Sequence, residues 1–575
     1  MPALLLVVLG WLAAGAGVLA LAAIVRQAAG LRRVRGLPGP APWPLVGNLP
    51  TILRLNQNLD DAIALWRGKY GKIFRFSMGA GTPWVVVADV ARAREVMLKK
   101  HTWFVNRPSP SGVERFAVGK SAKAFFRWSM TVVKDAEWRG IRRAATAVFH
   151  SDAILERFAP AVNRAADRFV EGVKDRPRDE QGWADVEVWR PLGEMTLEVI
   201  CATAFGLSFD DEGMKSRQME LLRAAKTFFD NAGIFGNPYM LVAGMLPAFL
   251  HAPLGVIART FPTASMRTVG KALEAMERHS EELLAAALEE EDGRGADPPA
   301  PEARSLELRA GESVLNLMIR EWRGSQGGDD VDQQRRARLA PELREHWVEA
   351  IRAQAALLFA AGYETTANTL SFTLYLLGRH PHWYERIQKE VDEVCGSREG
   401  PPSISHADAQ ERLPVTFACI QEAIRLFPPV PLTSRICEPP AHAAGASGAW
   451  LEAEVPGEPP TFVPRGGDVV VAIRAIHLDP EVFENPRRFD PSRFIGNKAH
   501  PAWMPFGHGP RQCVAMKLAL TEAVVALSHF AAAFDLDVPA APHLEDDVAG
   551  LQTRVRATLS PGEAGVRLRV RPRAP

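Results

Sequence analysis

The chain has 575 residues, 47% hydrophobic and 23% charged, which is material enough for a substantial buried core. Its formal net charge is +1 with no long basic or acidic block, which argues against a nucleic-acid partner because phosphate binding needs a clustered positive field. Five cysteines (Cys201, Cys395, Cys419, Cys437, Cys513), odd in number and without a CxxC pair, argue against a disulfide framework or structural zinc and place the bulk of the chain in a reducing compartment.

From Ala3 to Val25 there is no charged residue. As a helix this stretch is about 35 Å long, against a hydrocarbon core of about 30 Å. Arg26, Arg32, Arg33 and Arg35 follow, so the positive-inside rule puts everything downstream in the cytosol. A cleaved signal peptide fits less well: the charged leading region is missing and the basic cluster lies on the wrong side. The expected division is a transmembrane anchor over 1–25, a basic and proline-rich linker over 26–50, and a body over 51–575. Within the linker, LPGPAPWPLVGN (Leu37–Asn48) cannot be helical and reads as an extended, stiff spacer.

In the body, KIFRFSM and TPWVVVA predict a short hairpin, and DVARAREVMLKK a helix. Amphipathic helices follow from Glu137 to about Leu288. They are interrupted at Ala232–Ile257 by an apolar, Gly/Pro-punctuated patch that reads as core or as a surface dipping into lipid. Asp292–Pro301 and Gly324–Arg338 read as exposed loops. One long helix is expected from Pro341 to His380, further helices to about Phe427, then strands and turns up to Cys513. A helix follows to about Phe530, and the tail ends in strand-like ATLSP and VRLRVRPR. There is no internal repeat.

Four groups of residues carry chemistry. Phe506-Gly-His-Gly509-Pro-Arg511-Gln-Cys513-Val-Ala515 crowds glycines and an arginine before a cysteine at a helix start, where backbone N–H groups and the positive end of the helix dipole favour a thiolate. Taken alone, such a cysteine is more often a buried structural one. Ala361-Gly362-Tyr363-Glu364-Thr365 puts a costly glycine and an acid–alcohol pair inside the long helix, where a threonine hydroxyl competes for the i−4 carbonyl. Glu422 and Arg425 are one helical turn apart in an apolar stretch, although such pairs usually sit on a solvated face. Trp138 and Arg142 also share a helix face.

These segments, in this order along the chain, resemble the cytochrome P450 family. The cysteine loop is similar to its haem-binding signature, Phe-x-x-Gly-x-Arg-x-Cys-x-Gly, at Phe506, Gly509, Arg511 and Cys513, with Ala515 in place of the last glycine. Ala361 to Thr365 resembles the family's Ala/Gly-Gly-x-Asp/Glu-Thr segment, Glu422 to Arg425 its Glu-x-x-Arg, and FENPRRFDPSRF its Pro-x-x-Phe-x-Pro-x-Arg-Phe, with Arg493 as the arginine. The departures are the long polar loops and an insertion around Ala441–Pro460.

The resemblance implies a mainly α fold with minor β-sheet, a single large haem domain behind the N-terminal transmembrane helix. It implies haem b as cofactor with Cys513 as axial ligand, Phe506, Gly509 and Arg511 of the same loop among the cofactor-binding residues with Arg511 placed to neutralise an acidic group nearby, Trp138 and Arg142 against a haem propionate, and Arg435 as a further propionate candidate. Glu364 and Thr365 would deliver the protons for splitting dioxygen, Ala361 and Gly362 would make room for it, and Glu422, Arg425 and Arg493 would form a structural ion-pair network. Phe125, Phe126, Ala361, Val430–Thr433 and Ala557–Thr558 are the pocket-lining candidates. The reaction implied is insertion of one atom of dioxygen into a lipophilic organic substrate. Electrons would come from NADPH through a separate NADPH–cytochrome P450 reductase, with cytochrome b5 as an alternative donor, and the domain would face the cytosol at the endoplasmic reticulum or another organelle membrane. Two other readings stay open. One is a haem-thiolate isomerase or dehydratase acting on peroxides without dioxygen, the other a non-catalytic haem-binding sensor.

Overall fold

The computed structural model describes the chain except for residues 1, 35, 82, 109–112, 208–211, 232–236, 247–249, 293–312, 325–345, 397–399, 453–457, 497–499, 539–545 and 574–575. The loops expected at 292–301 and 324–338 fall almost entirely outside the described residues, as do parts of the 232–257 patch and of the 441–460 insertion.

Helix α1 (Pro2–Arg33) continues past Val25, where the sequence suggested its end. The added residues are mostly strong helix formers, and they gain partners on the body. Ala23 and Gln27 are buried, Gln27 Nε2 donates to the carbonyls of Trp43 (3.0 Å) and Gly79 (3.3 Å), and Arg26 Nη1 donates to the Leu246 carbonyl (2.9 Å). The proline segment is extended, as expected, but it lies down on the sheet. The Arg75 N–H donates to the Pro38 carbonyl (2.9 Å), and Asn48 exchanges hydrogen bonds of 2.8 Å with the Ser77 backbone. Gly47, at φ 62°, sits where a Cβ would overlap the Ser77 carbonyl.

The predicted hairpin is β1 (Ile73–Phe76) with β2 (Trp84–Val87), paired antiparallel from Ile73↔Val87 to Phe76↔Trp84. The predicted helix after it is α-helical over Val90–Arg94 and then a single π turn, Glu95–Lys99. The helices that frame the site are α2 (Asp135–Phe149), α3 (Asp152–Lys174), α4 (Trp189–Phe205), α5 (Glu212–Asn231), α6 (Trp347–Arg379) and α7 (Pro414–Leu426). Next come β3 (Thr433–Ile436) and β4 (Asp468–Val471), which complete a sheet of order β1-β2-β4-β3 with β2 and β4 parallel. Helix α8 (Met516–Ala533) and the hairpin of β5 (Thr553–Val555) and β6 (Leu559–Pro561) close the fold.

Helix α6 is apolar nearly all round because it runs through the interior, packing on α4, α7 and α8. Stacked rings fix it in its middle and towards its C-terminal end: Phe205 on Phe359 at 4.1 Å between centroids, Phe372 on Phe427 at 4.6 Å. Helix α8 is long and apolar enough to cross a membrane, but 72% of it is buried within the protein, which makes it a core helix.

Candidate active site

The cysteine loop connects the end of a coil to α8, and its shape follows from its glycines. Gly507 (φ 70°) and Gly509 (φ 71°) both occupy the left-handed region, and a Cβ on Gly509 would overlap the Met97 carbonyl oxygen on the π turn. The Cys513 N–H closes the loop onto the Phe506 carbonyl at 2.9 Å, and Gln512 N–H onto Gly509 at 3.0 Å. Ala515 sits at φ −92°, a conformation open to any residue, so its backbone does not require glycine.

The Cys513 sulfur has protein around it yet its surface is exposed, the situation of a side chain on an inward-facing wall. Cys201, Cys419 and Cys437 are buried and Cys395 is half-buried. Burial pushes the Cys513 thiol up, while the Ala515 N–H, Arg142 and Arg107 pull towards the thiolate. Those donors leave the balance on the thiol side; a bound metal ion would reverse it, since coordination deprotonates a thiol outright.

Four arginines cluster at this loop: Arg142 and Arg107 act on the sulfur, and Arg107 lies near Arg435 and Arg511. Arg142 Nη1 donates to the Gln512 carbonyl at 2.7 Å. Arg511 lies 4.0 Å over the Trp138 ring and spends its guanidinium on the carbonyls of Val105 (2.8 Å), Met130 (3.0 Å) and Val133 (2.8 Å) and on Asn106 Oδ1 (3.3 Å). It therefore stitches the loop to the segment before α2, whereas the sequence cast it mainly as a charge partner. Arg435 is buried, with Nη1 on Thr433 Oγ1 (3.0 Å) and the Ser434 carbonyl (2.8 Å). Arg107 is the residue that sequence reasoning missed. Its Nη2 reaches the Arg511 carbonyl at 3.5 Å, and its Nε is buried without a hydrogen-bond partner among the described residues. The signal available was one arginine ending an apolar run, Trp103-Phe-Val-Asn-Arg107-Pro, which no periodicity flags.

Burial first, and mutual repulsion second, lowers these cations: Arg435 to about 9 and Arg511 to about 8, each with Arg107 among the causes. So many desolvated positive groups, with a buried N–H to spare, call for an anion between them. Haem b, with two propionates and an iron that takes a thiolate, matches that donor set.

Behind the loop the ion-pair network forms as expected. Glu422 and Arg425 are fully buried and bidentate, Nε to Oε2 at 2.7 Å and Nη2 to Oε1 at 2.8 Å. Arg425 also donates to the carbonyls of His477 (2.6 Å) and Pro486 (2.7 Å), and Arg493 Nε reaches Glu422 Oε1 at 3.3 Å.

On α6 the expected residues divide. Ala361 is exposed in mid-helix, and Thr365 Oγ1 donates back to its carbonyl at 2.8 Å without breaking the helix. Gly362 faces α4, where a Cβ would overlap Ile200, so its smallness serves the packing of α6 on α4. Glu364 is buried and its carboxylate is turned to Thr558, while the Thr365 hydroxyl is turned to Ala361. Of the pocket candidates, Val430, Pro431, Leu432 and Ala557 line a cavity of about 780 Å³, while Phe125 is buried against Phe228 at 5.5 Å.

The family model described as cytochrome P450 matches residues 37–554. The chain belongs to the cytochrome P450 family. It is 26% identical to human cytochrome P450 3A5 over 87% of this chain and 85% of that protein. It is 26% identical to pig thromboxane-A synthase (94% and 92%) and 25% identical to a probable cytochrome P450 6d4 of Drosophila melanogaster (86% and 84%). This P450 is accordingly an oxidoreductase that carries haem b, a haem-thiolate monooxygenase that places one atom of dioxygen in an organic substrate.

Proposed function

We propose that the Cys513 thiolate would hold the haem iron, and that this P450 is a membrane-anchored enzyme fed electrons by NADPH–cytochrome P450 reductase, with cytochrome b5 as an alternative donor. The observation that carries the reading is one accessible thiol set among buried arginines. The haem thiolate supplies the activation of dioxygen; the chain supplies everything around it. Arg107, Arg142 and Arg435, with Trp138, hold the propionates, and Arg511 holds the loop. Thr365, on the accessible side of α6 beside Ala361, passes protons. Glu364, which burial raises to about 7, gains and loses a proton near neutral pH.

The substrate is lipophilic and the membrane is that of the endoplasmic reticulum, with the haem domain on the cytosolic side. Support comes from the charge-free start of α1 and from where its end lands. Arg26 is bonded to Leu246, next to two short helices, Pro238–Met245 and His251–Thr260, which expose Val242, Val256 and Ile257, with Phe261 exposed just beyond them. An apolar surface beside an apolar helix is what a bilayer covers.

In phosphatidylcholine vesicles, oxidation of NADPH is expected to require both the reductase and this protein. Rearrangement of an added organic peroxide without NADPH would instead support the isomerase reading, which has no use for the Glu364–Thr365 pair. Thr365→Ala is expected to keep the reduced carbon-monoxide band while hydrogen peroxide released per NADPH rises several-fold; an unchanged ratio removes Thr365 from proton delivery.

A further inference from the structure

Glu364 and Asn368 lie four residues apart and share a face of α6, and the β5–β6 hairpin packs on that face. The Thr558 hydroxyl donates to Glu364 Oε2 at 2.6 Å. Asn368 Nδ2 donates to Thr558 Oγ1 at 3.4 Å and to the Leu559 carbonyl at 3.0 Å, and is itself oriented by the Trp189 indole N–H, which donates to Asn368 Oδ1 at 2.7 Å. Glu364, Asn368 and Thr558 are all buried. Neighbouring residues on a helix point about 100° apart, which is why Glu364 faces this seam while Thr365 faces the Ala361 side.

On the far side of the seam is the 780 Å³ cavity, lined by Ala557 next to Thr558 and by Asp230, Arg554 and Arg556. Asp230 on α5 pairs with Arg554 at 3.0 Å and Arg556 at 3.4 Å, tying α5 to the hairpin. These groups reach Glu364 electrostatically. Burial raises its carboxyl; the Thr558 hydrogen bond, Arg554 and Arg556 lower it, and Asp230 raises it. From α4, Arg190 and Glu194 act on the neighbouring Tyr363.

We propose that Thr558 is a positioning residue for the Glu364 carboxyl, and that protons reach Glu364 from the cavity bounded by Asp230, Arg554 and Arg556, across the α6–β6 seam. This rests on the reading of Glu364 as a proton donor. A hydroxyl suits the place because it both donates and accepts. As Thr558 gives its proton to a deprotonated Glu364, its oxygen takes one passed in by a water from the cavity that the adjacent Ala557 lines, so one O–H bond breaks as another forms and no charge remains on the threonine. Valine keeps the shape and removes that relay.

The test uses the haem-loaded protein in phosphatidylcholine vesicles with reductase and NADPH and no organic substrate. Hydrogen peroxide per NADPH is followed across pH, together with the infrared carboxyl band that Glu364→Gln abolishes. Thr558→Val, with its carbon-monoxide band intact, is expected to raise the peroxide share about threefold. It should also move the carboxyl titration up by about half a pH unit or more, because a hydrogen bond favouring the charged form is gone. Thr558→Ser is expected to restore both. If Thr558→Val does not retain haem, Thr558→Ala is read in its place. A valine or alanine variant that matches the native protein in peroxide share and titration overturns the proposal, as does a serine variant that fails to rescue. If Glu364→Gln itself leaves the peroxide share unchanged, the reading of Glu364 falls; if it raises the share and Thr558→Val does not, only the Thr558 inference falls.

Discussion

Cys513→Ser is expected to abolish the absorbance band that the reduced, carbon-monoxide-bound protein owes to its thiolate ligand. The substitution changes one atom and leaves the loop intact, because the loop is held by main-chain bonds from Cys513 to Phe506 and Gln512 to Gly509, and by the Arg511 side chain. A serine hydroxyl in the same surroundings is far more reluctant than a thiol to give up its proton. Arg142 and Arg107, which only partly offset burial for the thiol, cannot supply the difference. The expected product is a folded protein that still takes up the porphyrin through its arginines, with a blue-shifted carbon-monoxide spectrum and no NADPH-driven turnover. Retention of the native band in Cys513→Ser would assign the ligand to another residue.

Glu422→Ala is expected to cost about 3–5 kcal/mol, since it leaves Arg425 as an uncompensated buried charge. Both side chains have 0% exposure, so neither is rescued by water. Arg425 also gathers the carbonyls of His477, Pro486 and Arg488, and the Asp490 N–H donates to Glu422 at 3.0 Å, so losing the carboxylate loosens three stretches of chain at once. Urea unfolding of the haem-loaded protein measures the cost. Arg493→Ala should cost clearly less, because that guanidinium is partly exposed and makes a single 3.3 Å bond to Glu422. A loss below about 1 kcal/mol for Glu422→Ala would mean that the network does not bear on stability.

The backbone of the site was legible where chemistry demands particular residue types at fixed spacing. The cysteine loop with its two left-handed glycines, the Glu422–Arg425 pair and the long central helix all stand where their motifs pointed. Orientation was not legible. A glycine inside a helix shows that something approaches closely, but only packing shows that Gly362 meets Ile200. The acid–alcohol pair reads as one unit in sequence, yet helical geometry splits it, sending Glu364 to Thr558 and Thr365 to the Ala361 carbonyl. Arg107 was invisible for a different reason. It is a single residue in a loop, and its importance comes from the three other arginines that distant segments bring beside it. The proline segment was recognisable as extended, but that it lies on the sheet depends on partners at Arg75 and Ser77.

Iron K-edge X-ray absorption of the purified, haem-loaded protein addresses the thiolate without relying on turnover or on any substitution. A single sulfur scatterer in the first shell, alongside the porphyrin nitrogens, is the expected spectrum. A first shell of nitrogen and oxygen alone would contradict it.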